Sequence, residues 1–417
     1  MVTGVYVIGA VSTSFGKRPE DSIKALTREV YLQVMQDADA ITASEIESCW
    51  FGNCGMWTDQ QGSIRGQVAL TPLVREGLFP ERVPVTNVEG GCATASMAFN
   101  GACKDIMSGT TDVSLALGVE KTYFPDNPEK TNLLYCGGID QYDPQEWEEY
   151  YRNAGAEAGK AFEPAPDRTI FMDTYAMQAS YHMKRYGTTA EQIAVAAAKN
   201  HCYGALNPRA QYRFKMTAQE VLADRPVTAP LTRAMCAPVG DGAAAALLVS
   251  EKVFKRLPGS VQARAVRVAA TTLSGGKYRT LEEPGLSKFA ARKAYAQAGI
   301  RPADIDVAEV HDATSFCEIY QSEMLEFCDE GEGGAFIESG ATGPGGQLPI
   351  NTSGGLVSKG HPVGATGLSM IAELTEQLRR EAGARQVDGA RYALAENGGG
   401  VMGFDEAACS VIILEAN

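Results

Sequence analysis

No stretch of the chain stays apolar long enough to cross a bilayer: the longest apolar runs, such as AAAALLV at 243–249, fall far short of the roughly 20 residues that a span requires. The opening stretch, MVTGVYVIGAVSTSFG, has no basic leader and reads as a strand, so a soluble cytoplasmic protein is the expectation. Basic residues are in deficit as well. With 37 Lys and Arg against 51 Asp and Glu the net charge is −14, the wrong sign for a protein that neutralises phosphate backbones, and this excludes nucleic acid as a partner. One interval, Lys199 to Arg233, gathers Arg209, Arg213, Lys215 and Arg225 and could serve an anionic small ligand. The ten cysteines form no C-x-x-C pair and no zinc-ligand spacing, so neither a disulfide framework nor a resident metal site is indicated. Most of them should be small buried hydrophobes.

What is present is ample for a packed core: 417 residues, 45% of them hydrophobic and 21% charged, in the range of an ordinary soluble protein. Periodicity gives alternating elements. GVYVIGAV, IESCWFGN, VPVTNVEG and DVSLALGVE read as strands, and SIKALTREVYLQVMQDA carries apolar residues at helical spacing. After Cys92, a stripe of Ala95, Ala98, Ala102, Ile106 and Met107 marks a second helix, stopped at Gly109. From Tyr123 to about Gly240 the rhythm breaks into aromatic, acidic and proline-rich segments followed by two helices, which reads as an elaborated loop domain; DGAAAALLVS then returns as a buried strand. The second half repeats strand, helix, strand, glycine-rich turn, helix, strand. A layered α/β fold follows, and the repeated order suggests a duplicated unit.

Each half places a reactive side chain in its glycine-rich turn: Cys92 in EGGCATAS and His361 in SKGHPVGATG. A helix N-terminus offers unpaired N–H groups and the positive end of the macrodipole, which favour a thiolate and can hold an oxyanion. Of the four histidines, His182 lies on a helix among packing residues and His201 begins a loop, whereas His311 and His361 end elements inside unusual local sequence. A thiol with imidazoles from separate parts of the chain is the equipment of nucleophilic acyl transfer. GGGVMG, Gly398 to Gly403, fits a dinucleotide fingerprint only literally, because a strand and not a helix follows it.

These residues carry a resemblance. Asn351 to Gly367, NTSGGLVSKGHPVGATG, resembles the thiolase signature around the catalytic histidine. GGCATASMA is similar to the thiolase nucleophile segment, and HDATSFCE resembles the H-D motif of the lipid-transfer (sterol-carrier-protein) type. The resemblance implies a thiolase fold: five αβαβα layers from two duplicated halves, 1–254 and 255–417, with the loop domain at about 121–240. It implies an enzyme at least dimeric, acting on acyl-CoA with coenzyme A as substrate and with no covalently bound cofactor and no metal. Carried over, Cys92 would be the acylated nucleophile, and His361 would activate it and then deprotonate the incoming CoA thiol. His311, with His361, would hold the thioester oxygen, and the backbone N–H groups of Cys92 and Gly398 would form a second oxyanion hole. Ser353, Gly354, Arg213 and Lys215 would lie near CoA.

The departure is at the second cysteine of the family. In ALAENGGGVMG its C-terminal seat holds Glu396, and the seat two residues after the H-D histidine holds Ala313; Cys317 lies four residues beyond. Glu396 is therefore the expected proton shuttle, since a buried carboxyl can be tuned toward neutrality. The vacant seats and the acidic, aromatic loop domain are similar to a specialised thiolase such as the large subunit of benzoylsuccinyl-CoA thiolase, a type that pairs with a small zinc-finger partner. The rivals are a decarboxylating ketosynthase and a retro-aldol or non-catalytic thiolase-like subunit working with a zinc-ribbon protein.

Overall fold

A computed structural model describes residues 3–417. The chain runs β1 (Val5–Ser12), α1 (Ile23–Asp37), β2 (Ser48–Gly52), α2 (Arg65–Arg75), β3 (Val85–Val88), α3 (Thr94–Met107) and β4 (Val113–Glu120). An insertion follows: α4 (Pro128–Cys136), α5 (Pro144–Ala158), α6 (Ile170–Tyr186), α7 (Ala190–Leu206), α8 (Ala218–Leu222) and the small hairpin β5 (Pro226–Thr228) and β6 (Leu231–Thr232). Then come β7 (Gly242–Ser250), α9 (Glu251–Phe254), α10 (Gly259–Arg264), β8 (Val266–Gly275), α11 (Leu286–Ala298) and β9 (Val307–Glu309). The chain ends with α12 (Ser315–Met324), α13 (Gly333–Glu338), α14 (Gly355–Lys359), α15 (Thr366–Arg379), β10 (Tyr392–Gly399) and β11 (Ala408–Ala416).

The strand order β3-β2-β4-β7-β1-β8-β11-β10-β9 contains the duplication. In the first half β1 and β7 are antiparallel neighbours, β4 is antiparallel to β7, and β2 and β3 are parallel to β4. In the second half β8, β11, β10 and β9 repeat that sequence of directions, and an isolated parallel bridge from Ala308 to Ile350 stands where β3 stands in the first. Two residue pairs of β1 and β8, Tyr6 with Arg267 and Val7 with Val266, join the half-sheets.

Apolar burial stacks these sheets into five layers. Leu26, Val30 and Leu70 of α1 and α2 pack on Ile8, Phe51 and Leu115. Phe99 and Ile106 of α3 and Leu368 and Ile371 of α15 fill the space between the half-sheets, against Val7, Ala246, Ala393 and Ile412. Ala290 and Ala294 of α11 cover Leu394 and Ile413 on the far side. Both central helices therefore begin at the seam where the half-sheets meet, immediately after the glycine-rich turns.

Two expectations are corrected. The aromatic, proline-rich stretches read as loop contain α4 and α5; each opens on an Asn or Asp cap followed by proline, Asn127-Pro128 and Asp143-Pro144, and the cap side chains accept from Lys130 N and Glu146 N. The strand expected through 305–315 stops at Glu309, because the next two N–H groups are taken by side chains: Val310 donates to Asn351 Oδ1 at 2.9 Å and His311 to Glu396 Oε2 at 3.0 Å. No helix among the described residues is long and apolar enough to cross a membrane.

Beneath the second-half turn lies a buried ion network. Arg385 Nη2 is 2.9 Å from Glu373 Oε2, Thr352 donates to Glu373, and Lys359 Nζ lies 3.4 Å from Glu309 Oε2. Burial pushes the Glu373 carboxyl up, but Arg385 outweighs it and holds the group below the usual range. Truncating one partner of such a pair strands a buried charge. Arg385→Ala should therefore lower stability by about 3–5 kcal/mol in denaturant unfolding, and adding Glu373→Gln should restore part of that loss.

Candidate active site

The turn between β3 and α3 is held by its own backbone and by the strand that faces it. Gly91 has φ +56°, Gly90 N donates to Thr94 Oγ1 at 2.8 Å, and Thr94 Oγ1 donates to Gly91 O at 2.7 Å. A Cβ added at Gly399 would lie 2.2 Å from Ala93 N, 2.3 Å from Gly90 O and 2.6 Å from Cys92 N. The end of β10 thus presses backbone to backbone on the nucleophile turn, and only glycine permits it.

His361 meets Cys92 from the other half, Nε2 to Sγ at 3.0 Å across 269 residues of sequence. Its tautomer follows from its second partner. Thr366 Oγ1 donates its one hydrogen to Pro362 O at 3.1 Å, so at 2.7 Å it accepts from His361 Nδ1–H. Nε2 is left unprotonated and faces the thiol as a base. Burial, then the neighbouring His311 and Lys359, push the His361 pKa well down, and burial pushes the Cys92 thiol up. Desolvation thus works against the thiolate that the start of α3 favours, and both shifts point toward a neutral thiol beside a neutral imidazole.

His311 completes the cluster. Its ring lies 5.3 Å from that of His361, and burial pushes its pKa down to about 4. Its Nε2 is buried with no hydrogen-bond partner in the protein, as a position awaiting a substrate atom would be. One donor or ligand atom from each of Cys92, His311 and His361 lies within 4.8 Å of the others, close enough for one substrate carbonyl to touch all three.

A cavity of about 1400 Å³ opens on these residues, with Gly399, Gly400, Tyr175 and Glu406 also on its wall. Farther out it is lined by aromatic side chains, among them Trp57, Phe124, Phe171 and Tyr278, and by the cations Lys17, Arg168, Arg225 and Arg233.

Several expected residues are placed elsewhere. Glu396 is fully buried and off the cavity wall: its carboxylate accepts from His311 N at 3.0 Å and from the Cys409 thiol at 3.5 Å. Its side chain extends beneath His311, where a cysteine at the same position would end sooner. Gly398 also stops short of the wall, which is formed by Gly399 and Gly400. Ser353 is buried and gives its hydroxyl to Glu309 at 2.5 Å, and Gly354 packs on Gly204 of α7; neither reaches the cavity. Arg213 and Lys215 are exposed and off the wall, while Arg225 and Arg233 of the same basic interval lie on it. Cys317 is buried against Thr314. His182 bonds Thr188 and Glu323, and His201 bonds Ala234 O, both as structural groups. Thr366, Tyr175 and Glu406 were not singled out by the sequence; Thr366 lies in the glycine-rich signature, and the other two carry no motif.

Comparison with known families decides the assignment. The thiolase N-terminal domain profile matches residues 5–252 and the thiolase C-terminal domain-like profile matches residues 280–415. The chain belongs to the thiolase family. It is an acyltransferase, and its fold is the thiolase fold. It is similar to an acetyl-CoA acetyltransferase of Methanothermobacter thermautotrophicus, at 34% identity covering 96% of this chain and 97% of that protein. Sterol carrier protein 2 of Oryctolagus cuniculus is 35% identical over 97% of this chain and 73% of its own. Benzoylsuccinyl-CoA thiolase subunit BbsB of Thauera aromatica is 29% identical over 92% and 91%. Among solved structures, the Ltp2-ChsH2(DUF35) aldolase superposes with TM-score 0.76 at 23% identity, covering 99% of this chain and 98% of that one.

Two predictions test this thiolase site. Gly399→Ala should displace the Cys92 turn and slow acyl transfer by about 100-fold, since misplacement of a reacting group by about 1 Å costs that much; iodoacetamide labelling of Cys92 should slow with it. Burial, and then the charge of Glu406, raise the Glu396 carboxyl from 4.5 to about 8. The folded state therefore binds that proton more tightly than the unfolded one, and the stability it supplies is full below about 4.5 and lost as pH rises through 8. Glu396→Gln should flatten unfolding stability between pH 5 and 8, removing a slope of up to ~1.4 kcal/mol per pH unit.

Proposed function

We propose that the protein cleaves a 3-oxoacyl-CoA with coenzyme A through an acyl-enzyme on Cys92. The hydrogen bond from the Cys92 thiol to an unprotonated His361 Nε2 carries this reading. As sulfur attacks the keto carbon, the imidazole takes its proton, so charge separates only when substrate is present to use it. The unpartnered His311 Nε2 and the backbone N–H of Cys92, at a turn opened by glycine, supply polar contacts for the oxygen that becomes negative.

The wall of the cavity supports a bulky, aromatic acyl group, of the kind that the name of BbsB describes for that relative. Its volume of about 1400 Å³ exceeds the range of roughly 300–1,000 Å³ usual for small-molecule sites, leaving room for both a pantetheine arm and a large acyl chain. Arg225 and Arg233, in place of Arg213 and Lys215, stand with Lys17 and Arg168 among the cations on the wall that CoA phosphates could meet, Arg233 being paired with Asp224 and Arg168 with Asp173. BbsB is by name a subunit, and a small partner chain is part of this reading. So is a homodimer: β3 is an edge strand of four residues with one side unpaired and its residues only partly buried, a ready template for strand pairing.

Cys92→Ala should lower thiolysis by roughly 10⁴-fold or more, and His311→Ala by roughly 100- to 1,000-fold. Intact-mass analysis should show an acyl adduct on the wild-type chain after incubation with acetyl-CoA and none on Cys92→Ala. Turnover that survives the loss of Cys92, or CO2 release from malonyl-CoA in place of thiolysis, would remove this reading.

A further inference from the structure

Attack of sulfur on C3 of a 3-oxoacyl thioester breaks the C2–C3 bond and leaves the electron pair on C2, and that carbon must then receive a proton. His361 has just accepted one from Cys92. Neither familiar cysteine seat can help, since Ala313 has no proton to give and Glu396 lies beneath His311, off the wall.

We propose that Glu406, on the cavity wall between β10 and β11, is the acid that protonates C2. This rests on the thiolase reading above. The placement is specific. A Cβ added at Gly398 would lie 2.5 Å from Glu406 Cγ and 3.1 Å from its Oε1, and one added at the next residue, Gly399, would lie 2.6 Å from Cys92 N. These adjacent residues face opposite ways from the end of β10, so the carboxyl and the nucleophile turn lie on either side of that strand end, and Glu406 opens on the same cavity as Cys92, His311 and His361. Gln321 of α12 lies 3.4 Å from Oε1 and orients it. Glu406 is partly accessible, and its accessibility is to the cavity.

The other acids on the wall are committed or peripheral. Glu89 pairs with Arg65 and is 61% exposed. Asp140 accepts from Tyr142 N and Asp143 N, and Asp167 pairs with Arg168. Among thiols, Cys54 donates to Gly91 O at 3.3 Å and lies 2.9 Å from Thr94 Oγ1, Cys236 donates to Thr232 O at 3.4 Å, and burial pushes both up to about 12.

The surroundings of Glu406 suit a proton carrier. Burial and the charge of Asp405 push its carboxyl up, Arg279 opposes them, and the result is about 7, where a general acid near neutrality is most effective. Glu396 of β10 faces it from behind, its own carboxyl raised to about 8 by burial and then by the charge of Glu406. Cys317 and Tyr320 of α12, Tyr175 of α6 and Cys409 of β11 also surround it, all pushed up by burial and so un-ionised at neutral pH.

The steps balance. The Cys92 proton passes to His361, the C2–C3 electron pair takes the Glu406 proton, and the site holds an imidazolium, a carboxylate and an acyl thioester. Transfer of the imidazolium proton to the carboxylate across the cavity restores both. His361 then takes the proton of the CoA thiol, whose sulfur displaces Cys92 from the thioester, and returns that proton to Cys92. Nothing is oxidised or reduced.

The test uses the full chain with three assays: exchange of labelled CoA into acetyl-CoA, which breaks no carbon–carbon bond; deuterium uptake at C2 of acetyl-CoA in D2O by mass spectrometry; and thiolysis of acetoacetyl-CoA against pH. Glu406→Gln should retain CoA exchange within about 3-fold while deuterium uptake and thiolysis fall by at least ~100-fold. In the wild type, thiolysis limited by C2 protonation should decline as pH rises through about 7, a limb that Glu406→Gln abolishes and Glu406→Asp partly restores. Retained deuterium uptake in Glu406→Gln overturns the proposal. So does a parallel loss of all three activities, which would make Glu406 a structural support, and so does a selective loss in Cys54→Ser or Glu396→Gln that Glu406→Gln lacks. A wild-type protein that exchanges no CoA removes the thiolase reading itself, a failure separate from these.

Discussion

The hydrogen bond between Cys92 and His361 joins turns that lie at opposite ends of the duplicated fold's sequence, and neither half can form it alone. Each turn sits at the start of a central helix, α3 or α15, and those helices pack together between the half-sheets. The distance of 3.0 Å from sulfur to nitrogen is therefore set by the packing of the whole middle layer. Small residues make the approach possible: Ala95, Ala98 and Ala102 keep α3 close to the sheet, and Gly399 brings β10 onto the Cys92 turn without a side chain between them. A dense interior has few ways to relax, and this is why a single added methyl there is felt at the sulfur.

Desolvation then governs the chemistry. The same burial raises the Cys92 thiol and lowers His361 and His311, so in all three it favours the uncharged form, which costs less to hold inside the fold. Charge appears only as substrate supplies an electrophile and an oxygen to receive it. The carboxyls around the site, Glu396 and Glu406, are raised for the same reason, and in a dry site a raised carboxyl is a proton donor at a pH where an exposed one is not. Permanent charges are paired or peripheral: Lys359 with Glu309 and Arg385 with Glu373 compensate one another beneath the second turn, and Lys17, Arg225 and Arg233 lie out along the cavity.

Much of this was legible in the sequence because local chemistry announces itself. A nucleophile turn needs glycine beside cysteine, and the long signature around His361 allows few alternative readings. Hydrophobic periodicity located most strands and the central helices. It failed in the insertion, where the proline at N1 of α4 and α5 looked like a loop signal while the Asn and Asp caps before it were starting helices. It failed also at Val310 and His311, whose N–H groups leave the strand for side chains distant in sequence.

The sequence by itself determined the family, the duplicated order of elements and the pairing of Cys92 with His361 and His311, since these rest on motifs whose residues are contiguous. Only the tertiary structure decided which groups touch the cavity. Glu396 occupies the seat of a catalytic cysteine yet lies under His311, Ser353 turns to Glu309, and Glu406, in a connector without a motif, comes to the wall. The reason is physical. Side-chain length and hydrogen-bond competition fix where a polar group ends, and both depend on neighbours that the chain brings together only when it folds.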